Sequence, residues 1–159
     1  MSIEISAATS DDAPDLARLG KHVHDLHVAW HPDIFRPATE EELAEGLRAL
    51  LAQQSFRAFI ARRERRPVGY IGLRTVERPG HMLMFARRFL DVEQVGVAPD
   101  ERGKGVGRAL MARVRELAAE LGLKRIELNV WAENGKARRA FESWGFAVCS
   151  SRMALKVET

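Results

Sequence analysis

Residues 3–7 alternate apolar and polar positions, the pattern of a short strand with one covered face. Past Ala7 the period lengthens. Leu16, Leu19, Val23 and Leu26 recur three and four residues apart, which predicts a helix ending near His27. Thr9 or Ser10 offers its N-cap, and Asp11 and Asp12 place carboxylates at its positive end. Pro32 and Pro37 bound an irregular connection, residues 31–38. Thr39 followed by Glu42 is a capping box for a second helix, whose stripe is Leu43, Leu47, Leu50 and Leu51. Residues 56–61, 68–76 and 89–97 return to strand character; the first two are joined by a hairpin-like connection without an Asn-Gly signal. Leu110, Val114, Leu117 and Leu121 share one face of a strong helix over 109–121, closed by Gly122. A strand over 126–130, a short helix over 135–144 and terminal strands over 146–149 and 153–157 complete the order β-α-α-β-β-β-α-β-α-β-β. Without repeats or a linker, residues 1–159 read as a single α/β domain with a mixed sheet.

Composition adds exclusions. A chain of 159 residues, 46% hydrophobic and 30% charged, buries about 70% of its unfolded surface and needs no staples. The lone Cys149 excludes an internal disulfide, fits a reducing compartment and reads as a buried structural thiol. The N-terminus lacks a basic stretch followed by an apolar run, and no apolar run reaches the length of a membrane helix. The expectation is a cytoplasmic protein with no membrane partner. Net charge is +3, and Arg62, Arg63, Arg65 and Arg66 crowd one turn, which reads as solvated surface. The basic residues are not interleaved with aromatics, so nucleic acid is not an expected partner.

The chemistry concentrates where the strand ending at Val97 passes Pro99-Asp100 and enters Arg102-Gly103-Lys104-Gly105-Val106-Gly107-Arg108, then a helix. Glycines let the backbone turn tightly against a ligand, and the first amides of a helix point unpaired into that turn with the positive end of the dipole behind them. This is a phosphate site. It is not a Walker loop, because Gly105 rather than a hydroxyl residue follows Lys104, and its G-x-G-x-G spacing is not the dinucleotide fingerprint.

Arg102, Gly105 and Gly107 fit the pattern Q/R-x-x-G-x-G/A, and about 27 residues on the run from Asn134 to Phe146 fits N-x-x-A-x-x-x-Y-x-x-x-G-F except for Phe141. With both segments in place, the chain resembles the GCN5-related N-acetyltransferase (GNAT) superfamily. The resemblance implies a mostly antiparallel, twisted sheet of about seven strands flanked by about four helices. It implies acetyl-CoA as co-substrate, no metal, and an amine acceptor on a small molecule or a peptide; a homodimer fits the family's habit. Amides from Arg102 to Arg108 would wrap the CoA pyrophosphate. The strand carrying Val95 and Val97 would splay from its neighbour and pair with the pantetheine. Asn134 would bond the pantetheine or adenosine-diphosphate arm, and the helix of Phe141 would flank the thioester.

Acyl transfer to an amine needs a neutral amine, a stabilised oxyanion and a departing thiolate. The resemblance makes the backbone N–H near Val97 the oxyanion donor. By strand parity Asp91, Glu93, Val95 and Val97 share a face, and Glu93 is the first choice for base or substrate anchor, ahead of Asp91. Phe141 stands where many members carry a tyrosine proposed to protonate the leaving thiolate. An alkyl thiol titrates near about 8.5, so water can supply that proton. Trp30, His31 and Phe35, between the first two helices, are the expected acceptor wall, with His81, Met82 and Phe85 as a rim or lid. His24, His27 and His31 share a helical spacing, but Pro32 disfavours helical geometry at His31 and no cysteine or carboxylate set accompanies them, so a metal is not expected. Two other readings are a non-catalytic acyl-CoA sensor and a nucleotide-phosphate binder of another class.

Overall fold

The computed structural model describes residues 2–158, in two compact units divided between Asn129 and Val130. The first unit holds β1 (Glu4–Ala7), α1 (Ala13–Trp30), α2 (Glu40–Leu51), β2 (Phe56–Arg63), β3 (Arg66–Arg78), β4 (Arg87–Val97), α3 (Val106–Glu120) and β5 (Ile126–Leu128). Its sheet runs in the order β1-β2-β3-β4-β5. The first three pairings are antiparallel, and β4 pairs with β5 in parallel, as a crossover through a helix permits.

The periodicities explain these elements. On α1, Leu16 and Leu19 are buried with Ala44 and Leu47 of α2 against Phe56, Ala58, Ile60 and Tyr70. The sheet also packs against α3, whose Leu110, Val114 and Leu117 are at most 1% exposed, worth about 1.5–3 kcal/mol each. Thr39 Oγ1 accepts from the Glu42 amide at 3.1 Å, the expected cap, worth about 1 kcal/mol. Helix α1 continues past His27 to Trp30 and ends at His31, immediately before Pro32, the residue pair where helical geometry becomes costly. The β2–β3 turn is tight, with Glu64 at φ 49° and Arg65 at φ 69°, so non-glycine residues occupy the left-handed positions.

The second unit contains α4 (Gly135–Ser143). The terminal strands expected over 146–149 and 153–157 are not formed, so the described residues give five strands and four α-helices rather than seven strands. Alternation at Met153, Leu155 and Val157 supplies strand propensity, but a strand also needs a ladder partner, and these side chains are 81–92% exposed. Cys149 lies on this segment and is exposed, which corrects its reading as a buried thiol.

Candidate active site

Strand β4 organises the first unit's site. Its partner β5 reaches only from Leu90 to Val92, so among the described residues Glu93 to Val97 have no strand on that side. On the other side the Ala98 amide donates to Val68 O at 2.9 Å, and the register Gly69–Val97, Tyr70–Gly96, Ile71–Val95 is regular. Because alternate amides of a strand point to opposite edges, the Val95 and Val97 N–H groups face the unpaired edge.

The edge leads into the glycine loop. A 3-10 turn, Pro99–Glu101, precedes it; Gly103 and Gly105 have φ of +73° and +89°, and Gly105 caps α3. A side chain at either would sit in the left-handed region that L residues avoid at about 1–2 kcal/mol. Glu101 accepts from the Lys104 amide through its carbonyl at 3.3 Å. The amides of Gly103, Gly105, Val106, Gly107 and Arg108 donate to nothing among the described residues. Five free donors lie at or just before a helix N-terminus, in the same run of chain as the cations Arg102, Lys104 and Arg108, a donor set of the kind that fits a diphosphate.

Parity along β4 fails at one residue. Gln94 sits opposite Gly72 and Val92 opposite Leu73, so Glu93 is an extra, bulged residue. Directly opposed residues share a face. Asp91 therefore lies with Arg74 and Gln94, and Glu93 reaches the same side through its bond to Arg74, whereas Val95 and Val97 belong to the face of Ile71 and Gly69. The expected common face of Asp91, Glu93, Val95 and Val97 is split by the bulge.

The carboxylates differ in their partners. Glu93 Oε1 accepts from Arg74 Nε at 2.6 Å, and Glu127 from Arg87 at 3.1 Å and Arg125 at 2.7 Å. The Asp91 carboxyl makes no hydrogen bond among the described residues. Burial raises its carboxyl above the usual range, and the Glu93 and Glu127 charges add to that, against Arg78 and Arg74.

The acceptor-side expectations scatter. Trp30, His31 and Phe35 cluster where α1 ends, but with histidine stacking: His27 lies 5.0 Å from Phe35 and 5.9 Å from Trp30 between ring centroids, and His24 Nε2 is 2.7 Å from Arg36 O. Burial, with His24 and His31 nearby, holds the His27 pKa down. His81 and Met84 bridge the tip of the β3–β4 hairpin, where Met82, Leu83 and Phe85 are 82–95% exposed. In the second unit the Asn134 side chain accepts from the Ala137 amide at 3.2 Å and caps α4, while Phe141 packs edge-on against Trp144 and Phe146.

Sequence reasoning missed the arginine turn. Arg62 donates to Asp12 at 2.6 Å, Arg63 to Glu101 at 3.1 Å, and Arg66 to Glu101 at 2.8 Å and Asp100 at 3.1 Å. Of the four arginines read as solvated surface, Arg65 and Arg66 are exposed as expected, but Arg63 and Arg66 are also tied to the residues just before the glycine loop. The available signal was Asp100-Glu101 directly before the loop, an acidic pair with no assigned partner.

Residues 21–146 match the model of the Acetyltransferase (GNAT) family. This chain belongs to that family. GNAT acetyltransferases use acetyl-CoA, and the loop just described fits its diphosphate. Among relatives, streptothricin acetyltransferase of Streptomyces lavendulae is 41% identical over 66 residues, 42% of this chain and 35% of that protein. A mycothiol acetyltransferase of Rhodococcus jostii is 28% identical over 148 residues, 92% of this chain and 45% of that protein. The chain thus spans less than half the length of either. The BH1408 protein of Bacillus halodurans, solved as a tetramutant, superposes with a TM-score of 0.89 at 27% identity over 97% of this chain and 99% of that one. An aminoglycoside N-acetyltransferase solved in complex with CoA shares the fold, with a TM-score of 0.77 at 14% identity over 99% of this chain and 96% of that one. Among the described residues of this GNAT protein, no helix is long and apolar enough to cross a membrane.

Proposed function

We propose that this GNAT protein is an acetyl-CoA-dependent N-acetyltransferase that moves the acetyl group to a primary amine of a small molecule or peptide by direct attack in a ternary complex. The observation that carries the reading is the open edge of β4, with the Val95 and Val97 amides facing outward, leading straight into five undonated loop amides. An extended pantetheine arm pairs with that edge while the loop and Arg102, Lys104 and Arg108 hold the diphosphate. The amine nitrogen attacks the thioester carbon, the Val97 N–H bonds the developing oxyanion, and the C–S bond breaks to release a thiolate that water protonates.

The base is a β4 carboxylate. Glu93 is held by Arg74, which suits it to anchor the acceptor, whereas Asp91 has no hydrogen-bonding partner and a raised pKa, which suits it to take the ammonium proton. The names of the streptothricin and mycothiol acetyltransferase relatives agree with a small-molecule acceptor. Phe141, which has no proton to give, favours a second reading, a non-catalytic acyl-CoA sensor. Release of free CoA from acetyl-CoA across a panel of primary amines separates them: turnover with any amine supports the enzyme, and none across small-molecule and peptide amines supports the sensor.

A further inference from the structure

Glu101 is the only buried charged residue among those described, 5% exposed. Its position one residue before the glycine loop is peculiar for a carboxylate beside an anion site, since its charge opposes that of a diphosphate. Two cations answer it. Arg63 Nε donates to Oε2 at 3.1 Å and an Arg66 terminal nitrogen to Oε1 at 2.8 Å, so each oxygen has its own donor. The Arg66 nitrogen also reaches Asp100 Oδ2 at 3.1 Å. Both arginines flank the β2–β3 turn, whose left-handed residues Glu64 and Arg65 set them directly opposite each other. Through its backbone the same Glu101 donates to Ala98 O and accepts from the Lys104 amide, which lies between the two left-handed glycines.

We infer that Arg63, Glu101 and Arg66 form a positioning clamp that fixes the glycine loop in its diphosphate-binding conformation before the cofactor arrives. The inference rests on the cofactor reading above and assigns a role to the arginine-rich turn within it. A loop with three glycines in sequence alternation is otherwise free to sample many conformations, and ordering it on binding costs affinity. Anchoring the residue just before it to the β2–β3 hairpin removes part of that cost. Arg63 touches the Glu101 carboxylate, and Arg66 touches those of Glu101 and Asp100.

The clamp and simple electrostatics forecast opposite signs for one substitution. Glu101→Gln keeps the side chain's shape but removes a negative charge beside the site, so Coulomb attraction alone would tighten CoA binding. The clamp predicts the reverse: CoA binds about tenfold more weakly, S-acetylpantetheine, which lacks the diphosphate, binds unchanged, and amide order parameters over residues 102–105 of the unliganded protein fall. Equal or tighter CoA binding by Glu101→Gln, with the wild type binding normally, overturns the clamp and leaves the cofactor reading intact. No CoA binding by the wild type overturns the cofactor reading and the clamp with it. If Glu101→Gln does not fold, Arg66→Gln provides the test: a loss of affinity with lowered order parameters, both restored by Arg66→Lys, supports the clamp, and wild-type values for Arg66→Gln overturn it.

Discussion

The two halves of β4 leave different things unsatisfied. From Leu90 to Val92 the backbone runs between β3 and β5, and the unmatched group is a side chain, the Asp91 carboxyl. From Glu93 onward the side chains are tied or apolar, and the unmatched groups are main-chain amides along the edge and through the glycine loop. The difference separates two kinds of recognition. A cofactor held by backbone requires particular glycines at particular spacings, and spacing is visible in a sequence. An acceptor held by side chains requires only that a few polar groups converge, and convergence depends on register.

The sharpest way to break the comparison is Gly105→Val. A β-branched residue at φ +89° is strained although no atom obstructs its Cβ, so the loop must leave its present path. We expect a loss of CoA affinity of about 100-fold, roughly 2.7 kcal/mol, with the folded circular-dichroism spectrum kept; unchanged affinity on titration would remove the loop from the site.

The next effect belongs to the other half. Asp91→Asn should lower kcat about 100-fold, within the range of general base loss, with acetyl-CoA affinity unchanged. Glu93→Gln should act mainly on acceptor KM. Because the Asp91 pKa is raised, the active carboxylate form accumulates at higher pH than for an unperturbed aspartate; activity rises with pH through that titration, and Asp91→Asn flattens the rise in a kcat/KM profile. The stability sign is opposite. A carboxyl with a raised folded-state pKa favours the native state when protonated, and that contribution is lost as pH rises through the folded pKa. At neutral pH, Asp91→Asn should therefore raise the thermal midpoint by a degree or two. A drop in the midpoint would show Asp91 to be structural.

The smallest effect concerns the hairpin tip. Replacing Met82 and Phe85 with Ser removes side chains that are 94% and 95% exposed, so stability should change by less than about 0.5 kcal/mol in a denaturant titration. A larger loss would mean that the tip packs on something.

The same contrast explains what the sequence revealed. The stripe of α3, the cap at Thr39 and the left-handed glycines that lead into α3 each follow from a local rule, and the structure has all three. The bulge at Glu93 has no local marker in β4; its only trace is Gly72 on the neighbouring strand. The clamp at Glu101 joins residues 35 and 38 positions apart, and a turn without glycine brings them together, so neither spacing nor turn chemistry announces it. The terminal alternation at 153–157 shows the converse: a strand pattern is a propensity that needs a partner before it is a strand.

The measurement that bears most directly on the central claim is calorimetric titration of the wild-type protein with acetyl-CoA, using ATP as the control polyphosphate. An open strand edge joined to a diphosphate loop without a magnesium-holding hydroxyl predicts micromolar binding of acetyl-CoA and none of ATP. Absence of acetyl-CoA binding, or equal binding of ATP, would contradict the account.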